Sequence, residues 1–382
     1  MQGYALIYIL LISHVIRDPS GGAASCTLAL ADEWRRDGVT VVDFYRDELP
    51  GVHAGRLSPD LLALRAAWFV AARRDRPDVV IATGPLGWAT FRLLRMVRRG
   101  RSPLFVSLSY GLEHEDHEVQ VQEASHGGAG MSFLARMRWS VFVKPAVESS
   151  IVQSDLFLAP RRRDTERAVE SGWKRPGQVL ATGWGVAYEA SLVDSQLPPR
   201  AWTGRVAWCG TVVDRKGWRY FRDGFTEAAR ALPELRLDVF GSRLEPESLT
   251  SQFPSEMAAR VSVLPILSRT EQFRQMASMD VLVSTSLSEG YHLAVQEAMA
   301  LGVPVIATAE GFLADLVTSA RPILEIPKRD AHAVCEAILR VAADDPLRVH
   351  LSSSGMSWAA SHSWELIARR VTSTLVAALS TP

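Results

Sequence analysis

The sequence has few cysteines and no net charge, and both features restrict what the protein can be. Cys26, Cys209 and Cys335 are the three cysteines among 382 residues, and no two have the spacing of a metal-binding pair. We expect reduced, buried thiols in a cytoplasmic protein, because disulfide frameworks mark secreted domains. Lysine plus arginine equals aspartate plus glutamate at 42 each. No overall field therefore attracts nucleic acid or an anionic membrane.

Long uncharged apolar stretches are also lacking. The N-terminal run YALIYILLISHVI, residues 4–16, has neither the positive charges nor the small-residue cleavage site of a signal peptide, and it leads into a turn rich in proline and glycine. It is predicted to be a buried first strand. No other segment approaches the roughly 18 apolar residues that cross a membrane. Any membrane attachment is expected to be peripheral.

What the first half does contain is a regular alternation of strand-like and helical segments. The predicted strands are ILLISHVI, VTVVDFY, DVVIAT and PLFVSLS, and helices are predicted over residues 23–37, 59–75 and 86–99. This order is typical of a mostly parallel, doubly wound sheet. Residues 111–131 interrupt it with acidic residues, histidine and glycine, and are predicted to be a long mobile loop. A helix follows near residues 132–150.

A second alternating series begins after LVDSQLPPRAW, residues 192–202, whose prolines and polar residues suggest a linker. The predicted fold class is therefore α/β, with two doubly wound, Rossmann-like domains. Residues 1–190 form the first and residues 200–361 the second, while a terminal helix at 362–382 packs back on the first. A cleft between the carboxyl ends of the two sheets is the expected position of a site.

One candidate site lies in SEGYHLAVQEAMALGVPVIAT, residues 288–308. The preceding MDVLVST is a predicted strand, and a helix is expected to begin near His292, with its N–H groups and positive dipole end at the crest of the sheet. Such a terminus binds anions. Glu289 in the loop could accept hydrogen bonds from sugar hydroxyls, and Glu297 could bind a ribose diol. From this segment alone, an acid that complements the dipole and a solvated glutamate fit equally well.

A second candidate lies in residues 206–242, which are predicted to be strand, loop, helix and strand. Arg215 and Lys216 stand at the helix entrance, before Gly217. Cations placed there can neutralise a diphosphate, the lysine as a point charge and the arginine as a fork. Taken alone, such residues are more commonly surface charges in a turn.

Together these motifs resemble those of the retaining, nucleotide-sugar-dependent glycosyltransferases of family 4, which have the GT-B fold. The E-x7-E motif of that family matches Glu289 to Glu297, and its G-x5-K-G loop matches Gly210 to Gly217. PSGGAASCTLALADEWRRDG resembles the first glycine loop and helix, SYGLEH an acceptor-side motif, and SHSWELIARRVTSTL the terminal helix. The resemblance covers nearly the whole chain and does not name the substrate.

The resemblance implies a role for each matching residue. Glu297 would hold the donor ribose, Glu289 would lie beside the donor sugar, and Lys216 would bind the diphosphate with Arg215. Further donor contacts would come from Gly21, Gly22, Gly210, Thr211, Tyr291, His292 and Leu293. Gly21 and Gly22 suit this role because glycine permits close backbone approach to a phosphate.

Three positions depart from the family pattern. Thr211 stands where the family commonly has an arginine, and Arg215 is the candidate to supply part of that charge. His292 stands where glycine is common. Tyr110 stands where histidine often precedes the glycine of the acceptor motif, and a phenol is a poorer base near neutral pH. His114 is the candidate acceptor-side substitute.

The implied activity is transfer of a sugar from a nucleoside diphosphate sugar to an acceptor hydroxyl, with retention and without a metal. No Asp-x-Asp motif is present to hold a cation, no cofactor beyond the co-substrate is expected, and nucleic acid is not an expected partner. The acceptor would be a saccharide or a lipid-linked one, in surface polysaccharide or glycolipid synthesis. Five arginines within residues 91–101 leave open a peripheral contact at the inner face of the membrane. The alternative function is a non-catalytic subunit that binds nucleotide sugar and supports a partner transferase.

Overall fold

The computed structural model describes residues 7–49, 59–97, 102–186 and 201–380. Two parallel sheets of six strands each are present in this part of the chain. The first sheet contains β1 (Tyr8–Ile12), β2 (Thr40–Phe44), β3 (Val79–Thr83), β4 (Leu104–Leu108), β5 (Leu156–Ala159) and β6 (Val179–Ala181). The second contains β7 (Arg205–Cys209), β8 (Arg236–Phe240), β9 (Val261–Val263), β10 (Val281–Ser284), β11 (Val305–Ala307) and β12 (Leu324–Glu325). The predicted pair of doubly wound parallel sheets is confirmed.

Helices follow most of the strands. They are α1 (Gly22–Arg36), α2 (Pro59–Ala71), α3 (Gly87–Val97), α4 (Glu113–Ser125), α5 (Phe133–Arg138), α6 (Lys144–Gln153), α7 (Arg162–Glu170), α8 (Trp218–Ala231), α9 (Pro246–Thr250), α10 (Arg269–Met276), α11 (Leu293–Ala300), α12 (Ala331–Ala343), α13 (Asp345–Ala360) and α14 (Trp364–Ser380). A π-helical segment, Trp139–Val143, joins α5 to α6. No helix in the described ranges is long and apolar enough to cross a bilayer.

The strand order shows where each sheet reverses direction. The first sheet has the order β2-β1-β3-β4-β5-β6, and the second has the order β12-β11-β10-β7-β8-β9. The order therefore reverses between β1 and β3 in the first sheet and between β7 and β10 in the second. In open parallel sheets, ligands bind outside the carboxyl ends of the strands at such a switch point. The loops that follow β1, β3, β7 and β10 are thus the places to examine for a site.

The chain divides into two compact units, and each contains one sheet. The first unit comprises Met1–His114, Met131–Gly185 and Trp364–Pro382, and the second comprises Glu115–Gly130 and Val186–Ser363. The helix α14 therefore belongs with the first unit, where it contacts α1. Most of the proposed linker, residues 192–200, lies outside the described residues, as does the end of the arginine-rich segment, residues 98–101.

Residues 111–131 are not the long loop that the sequence predicts, because α4 occupies Glu113–Ser125. Its acidic residues suggested exposure to water, but Glu123 is fully buried. The Glu123 carboxylate pairs with the guanidinium groups of Arg219, at 2.5 Å, and Arg329, at 2.7 Å. Both arginines lie in the second unit, so charges remote in sequence stabilise this helix. A buried carboxylate is tolerable when paired in this way.

The core of the second unit is unusually aromatic on one side of its sheet. Trp208 on β7 packs edge-on against Trp218, with ring centroids 4.8 Å apart, and Phe221, Phe225 and Phe253 continue the cluster. Trp218, Phe221 and Phe225 recur along one side of α8 at the three- and four-residue spacing of a helix. This packing fixes α8, and therefore also the loop that enters it from β7.

Candidate functional site

Two loops of the second unit meet at its switch point. The first runs from Gly210, after β7, through a 3₁₀ turn at Asp214–Lys216, and the second follows β10 to the start of α11. The backbone N–H of Leu287 donates to the Arg215 carbonyl at 2.7 Å, and the Thr285 hydroxyl donates to the Lys216 carbonyl at 3.1 Å. These bonds hold the two loops in register, so the side chains that the sequence singled out in each lie close together.

Gly217 is the residue that allows the two loops to come so close. Its backbone is left-handed, with φ of 64°, and a β-carbon placed on it would lie 2.0 Å from the Thr285 carbonyl oxygen. Glycine alone avoids both the conformational cost and the steric overlap. The G-x5-K-G pattern thus has a structural reason at its last glycine.

Lys216 and Glu289 form an ion pair in this site. The Lys216 Nζ lies 2.5 Å from Oε1 of Glu289, and the same oxygen accepts a 2.6 Å hydrogen bond from the Ser286 hydroxyl. Burial raises the pKa of the Glu289 carboxyl, but the positive charges of Lys216 and Arg215, and of His292 once it is protonated at low pH, outweigh that effect and hold the pKa well below its usual range. The carboxylate is therefore ionised at neutral pH.

His292 caps α11 in a left-handed conformation, with φ of 83°. Its Nε2 lies 2.7 Å from the Ser284 hydroxyl and 3.7 Å from Oε1 of Glu289. Burial lowers the pKa of the imidazole to about 4, although the neighbouring Glu289 opposes this shift. The ring is therefore neutral at pH 7, so it adds no positive charge to the site and serves as a hydrogen-bonding group.

The first turn of α11 is closed by hydrogen bonds to its N-cap, His292. The N–H groups of Val295 and Gln296 both donate to the His292 carbonyl, so regular helical hydrogen bonding begins with these two residues. Tyr291 packs its ring against Phe312, with centroids 5.3 Å apart, and Leu293 is half-buried at the first helical position. The predicted helix start near His292 agrees with the structure. Whether this turn binds an anion stays a prediction.

Arg215 lies between two carboxylates, those of Asp116 and Glu289. Its guanidinium lies 3.7 Å from a carboxylate oxygen of Asp116 and 3.9 Å from one of Glu289, and it donates to the Ser288 carbonyl at 3.5 Å. Asp116 also accepts a 2.6 Å hydrogen bond from the Ser288 hydroxyl. The sequence did not indicate Asp116, because it belongs to a segment predicted to be a loop. Thr211 lies on the same loop and is half-buried.

Glu297 is paired with a different cation, Arg269. Its Oε1 accepts a 2.9 Å hydrogen bond from Arg269, at the start of α10. Burial raises the pKa of the Glu297 carboxyl, and Arg269 opposes the shift. Burial also raises the pKa of the Cys209 thiol to about 12, with further increases from Glu297 and Glu289. The thiol is therefore protonated at neutral pH.

The first unit has polar residues at its own switch point. The Tyr110 hydroxyl lies 2.9 Å from the Ser13 hydroxyl and 3.2 Å from that of Thr27. Burial raises the pKa of Tyr110 to about 12, so the hydroxyl stays protonated at neutral pH. His14, two residues beyond the end of β1, was not predicted, and it hydrogen-bonds through Nδ1 to the Thr83 hydroxyl at 2.8 Å. Its place just beyond a buried first strand was the available signal.

Three other predicted residues, Gly21, Gly22 and His114, also belong to the first unit. Gly21 is the N-cap of α1 and Gly22 is the first residue of that helix. His114 is buried, with Nε2 3.1 Å from a Glu148 oxygen and with the rings of Trp139 and Trp173 beside it. Burial lowers the pKa of His114, and Glu148 opposes that shift. His114 is thus packed in the first unit, and its acceptor role remains a prediction.

The described residues contain no cluster of three or more histidine, cysteine or carboxylate groups that could hold a metal ion. The charges at the second switch point come instead from Lys216, Arg215 and their carboxylate partners. Lys328 adds a cation nearby, since it donates to the Leu287 carbonyl at 3.0 Å and pairs with Glu310. Each of these three cations is paired with a carboxylate, and binding of an anion by them stays a prediction.

Known proteins with similar sequences are glycosyltransferases. Residues 203–344 match the family model of group 1 glycosyl transferases. The chain is 28% identical to a GDP-mannose-dependent alpha-mannosyltransferase of Mycobacterium tuberculosis over 92% of this chain and 93% of that protein. It is 33% identical to a D-inositol 3-phosphate glycosyltransferase of Nocardioides over 34% of this chain, and this match spans 30% of the relative. A lipopolysaccharide core biosynthesis glycosyltransferase of Rhizobium meliloti is 27% identical over 50% of this chain and 54% of its own length.

Among solved structures, the sucrose-phosphate synthase of Thermosynechococcus elongatus is similar over the whole chain. The TM-score is 0.76, the sequences are 18% identical, and the match covers 98% of this chain and 100% of that one. At this identity the likeness establishes the GT-B fold and nothing further. The structural similarity and the match of residues 203–344 to the group 1 family model together support a glycosyltransferase with the GT-B fold.

Proposed function

We propose that the protein is a retaining glycosyltransferase of family 4 that transfers a sugar from a nucleoside diphosphate sugar to an acceptor hydroxyl. The observation that carries the proposal is the pairing of Lys216 with Glu289 at the switch point of the second sheet. Both residues lie within the segment that matches group 1 glycosyl transferases. Lys216 belongs to the G-x5-K-G motif and Glu289 to the E-x7-E motif, so the ion pair links the two motifs that carry the family resemblance.

The chemical requirement of this reaction is stabilisation of the leaving diphosphate. Negative charge grows on its oxygens as the glycosidic bond breaks, and fixed cations and helix N–H groups lower the energy of that state. In the proposal, Lys216 and Arg215 supply the cations, and the first turn of α11 supplies the N–H groups. Glu289 orients Lys216 and lies beside the donor sugar, while Glu297 holds the ribose. The acceptor attacks from the face that the diphosphate leaves, so the configuration is retained.

We assign the remaining predicted residues to supporting roles. Gly21, Gly22 and Gly210 allow close backbone approach to the donor, and Tyr110 and His114 serve the acceptor. The acceptor is proposed to be a saccharide or lipid-linked saccharide of polysaccharide or glycolipid synthesis. The similarity to enzymes named for lipopolysaccharide core synthesis and for mannosyl transfer supports this class. No metal or further cofactor takes part in the proposed scheme.

A donor panel tests the proposal directly. The purified protein is incubated with individual nucleoside diphosphate sugars, and the products are separated by chromatography. Slow release of free sugar and nucleoside diphosphate is expected with one donor, with the anomeric configuration retained in the first product that NMR detects. The Lys216→Ala variant should lose this activity. Arg230→Ala, a change of an exposed arginine in the same unit, should keep it.

Two other functions predict different products. A non-catalytic subunit would bind a donor without turnover, and the comparisons do not favour it. An epimerase would return a changed sugar still attached to its nucleotide. Binding without turnover for every donor, even with saccharide acceptors added, would contradict the proposed transferase.

A further inference from the structure

The segment of the first unit from residue 131 to residue 147, MSFLARMRWSVFVKPAV, contains no acidic residue. It carries the cations Arg136, Arg138 and Lys144 among many large apolar side chains. We call residues 132–145 the cationic helix segment. Nothing in the proposed transfer reaction uses it, apart from the contact of Trp139 with His114.

The cationic helix segment exposes its apolar side chains to water. Phe133 is 71% exposed and Leu134 is 69% exposed, and the other exposed apolar residues of the segment are Met137, Val141 and Phe142. Scattered single apolar residues are normal at a surface, but five within ten residues form a patch. Such patches mark surfaces that meet an apolar partner.

The segment is held in place by the helix that continues from it. Ala146, Val147, Ser150 and Ile151 of α6 are buried, and α6 contacts α3 and β4. Between the two parts, the π-helical Trp139–Val143 precedes Pro145, which has no N–H to donate to the carbonyl four residues earlier. The helix is thus anchored by its C-terminal half, while its N-terminal half stays at the surface.

A neighbouring helix extends the patch. The π-helical segment contacts α2, on which Leu64 and Trp68 are exposed. Tryptophan is enriched where proteins meet the boundary between lipid headgroups and acyl chains. Two helices of one unit thus present apolar side chains side by side.

We propose that the cationic helix segment and the adjoining face of α2 bind the surface of an anionic phospholipid bilayer. Apolar side chains would enter the boundary between headgroups and acyl chains, and Arg136 and Arg138 would contact lipid phosphates. A second copy of this chain fits the charge less well. A two-fold interface centred on the segment would bring Arg136 and Arg138 near their own copies, and the next carboxylate along the chain, Glu148, already contacts Lys144 and His114.

Vesicle flotation tests this proposal without reference to sugar transfer. The full-length protein is mixed with vesicles of phosphatidylglycerol and phosphatidylcholine, or of phosphatidylcholine alone, and bound protein is measured across a range of lipid concentrations. Binding is expected to the anionic vesicles and to weaken as salt is raised. Each arginine near an anionic surface changes affinity about fivefold, so Arg136→Gln with Arg138→Gln should weaken binding about 25-fold.

The apolar contribution is tested by Phe133→Ser with Leu134→Ser. Both side chains are exposed, so the fold should survive, and circular dichroism checks this. Vesicle binding should fall at least about tenfold. Matched controls in the second unit are Ile266→Ser with Val317→Ser, at 78% and 70% exposed, and Arg230→Gln with Arg274→Gln. These controls should bind vesicles as the unchanged protein does.

Three results would overturn the proposal. The first is no binding of the unchanged protein to anionic vesicles. The second is an equal loss of binding in the control variants. The third is self-association in analytical ultracentrifugation, abolished by Phe133→Ser with Leu134→Ser, in a protein that does not bind vesicles. That result would identify a second copy of this chain as the partner of the apolar surface.

Discussion

The ammonium group of Lys216 lies 2.5 Å from Oε1 of Glu289, although 73 residues separate them in sequence. A diphosphate that binds Lys216 must therefore share its charge with a carboxylate. The pair fixes the position of the lysine before any ligand arrives, which reduces the cost of ordering a long side chain. This arrangement determines what mutations on each side of the pair should do.

Arg215→Ala and Lys216→Ala should each lower turnover by about two to three powers of ten, the range for losing one contact to transition-state charge. Because both cations act on one leaving group, the double variant should lose less than the sum of the two effects in free energy. Steady-state kinetics of the three variants measures this. Thr211→Arg in the Arg215→Ala background should restore part of the activity. Unchanged kinetics in Arg215→Ala would show that this arginine only contacts Asp116 and Glu289.

Glu297→Gln should chiefly raise KM for the donor, whereas Glu289→Gln should chiefly lower kcat. The ribose is held alike in ground and transition states, but contacts near the anomeric carbon strengthen as the bond breaks. Donor binding measured by calorimetry separates the two effects from each other. If both variants change KM alone and by the same factor, the assigned roles are wrong.

Turnover should be unaffected by EDTA, because side-chain cations are proposed to neutralise the diphosphate. The measurement is the initial rate with and without chelator, after dialysis against chelator. Loss of activity that magnesium or manganese restores would transfer the charge stabilisation to a metal ion and would contradict the role given to Lys216 and Arg215.

Gly217→Ala should destabilise the second unit more than Gly241→Ala. Both glycines have φ near 65°, so each substitution costs about 1 kcal/mol for the left-handed backbone. A β-carbon at Gly241 meets no atom within 4 Å, whereas at Gly217 it overlaps the Thr285 carbonyl. The overlap should lower the free energy of unfolding by about 2 kcal/mol more. Urea unfolding of the two variants compares them, and equal losses would show that the loops separate freely.

The free energy of unfolding should fall as the pH is lowered from about 6.5 towards 4, in part because of His292. The pKa of His292 is lowered to about 4 in the folded protein, so the unfolded chain binds a proton first over this range. One such group contributes a slope of about 1.4 kcal/mol per pH unit. His292→Asn, a residue that tolerates positive φ, should make the decline shallower.

The sequence predicted most of the architecture, because alternating apolar strands and amphipathic helices are local patterns. It missed α4, since burial of Glu123 depends on Arg219 and Arg329, which lie about a hundred and two hundred residues further along the chain. The short strands β6 and β12 were also missed, because two or three residues carry no periodicity. Within the site, the motifs located Lys216 and Glu289, whereas Asp116, Arg269 and His14 became visible only through their contacts.

The membership of α4 in the second unit has a consequence for hybrid enzymes. A hybrid that exchanges residues 201–363 between two relatives would separate Arg219 and Arg329 from the carboxylate of Glu123, and Arg215 from Asp116. Unmatched charges at a buried position are costly. A chimera that keeps these pairs must take residues 115–130 and the second sheet from the same parent. The unit that can be exchanged is therefore discontinuous in sequence.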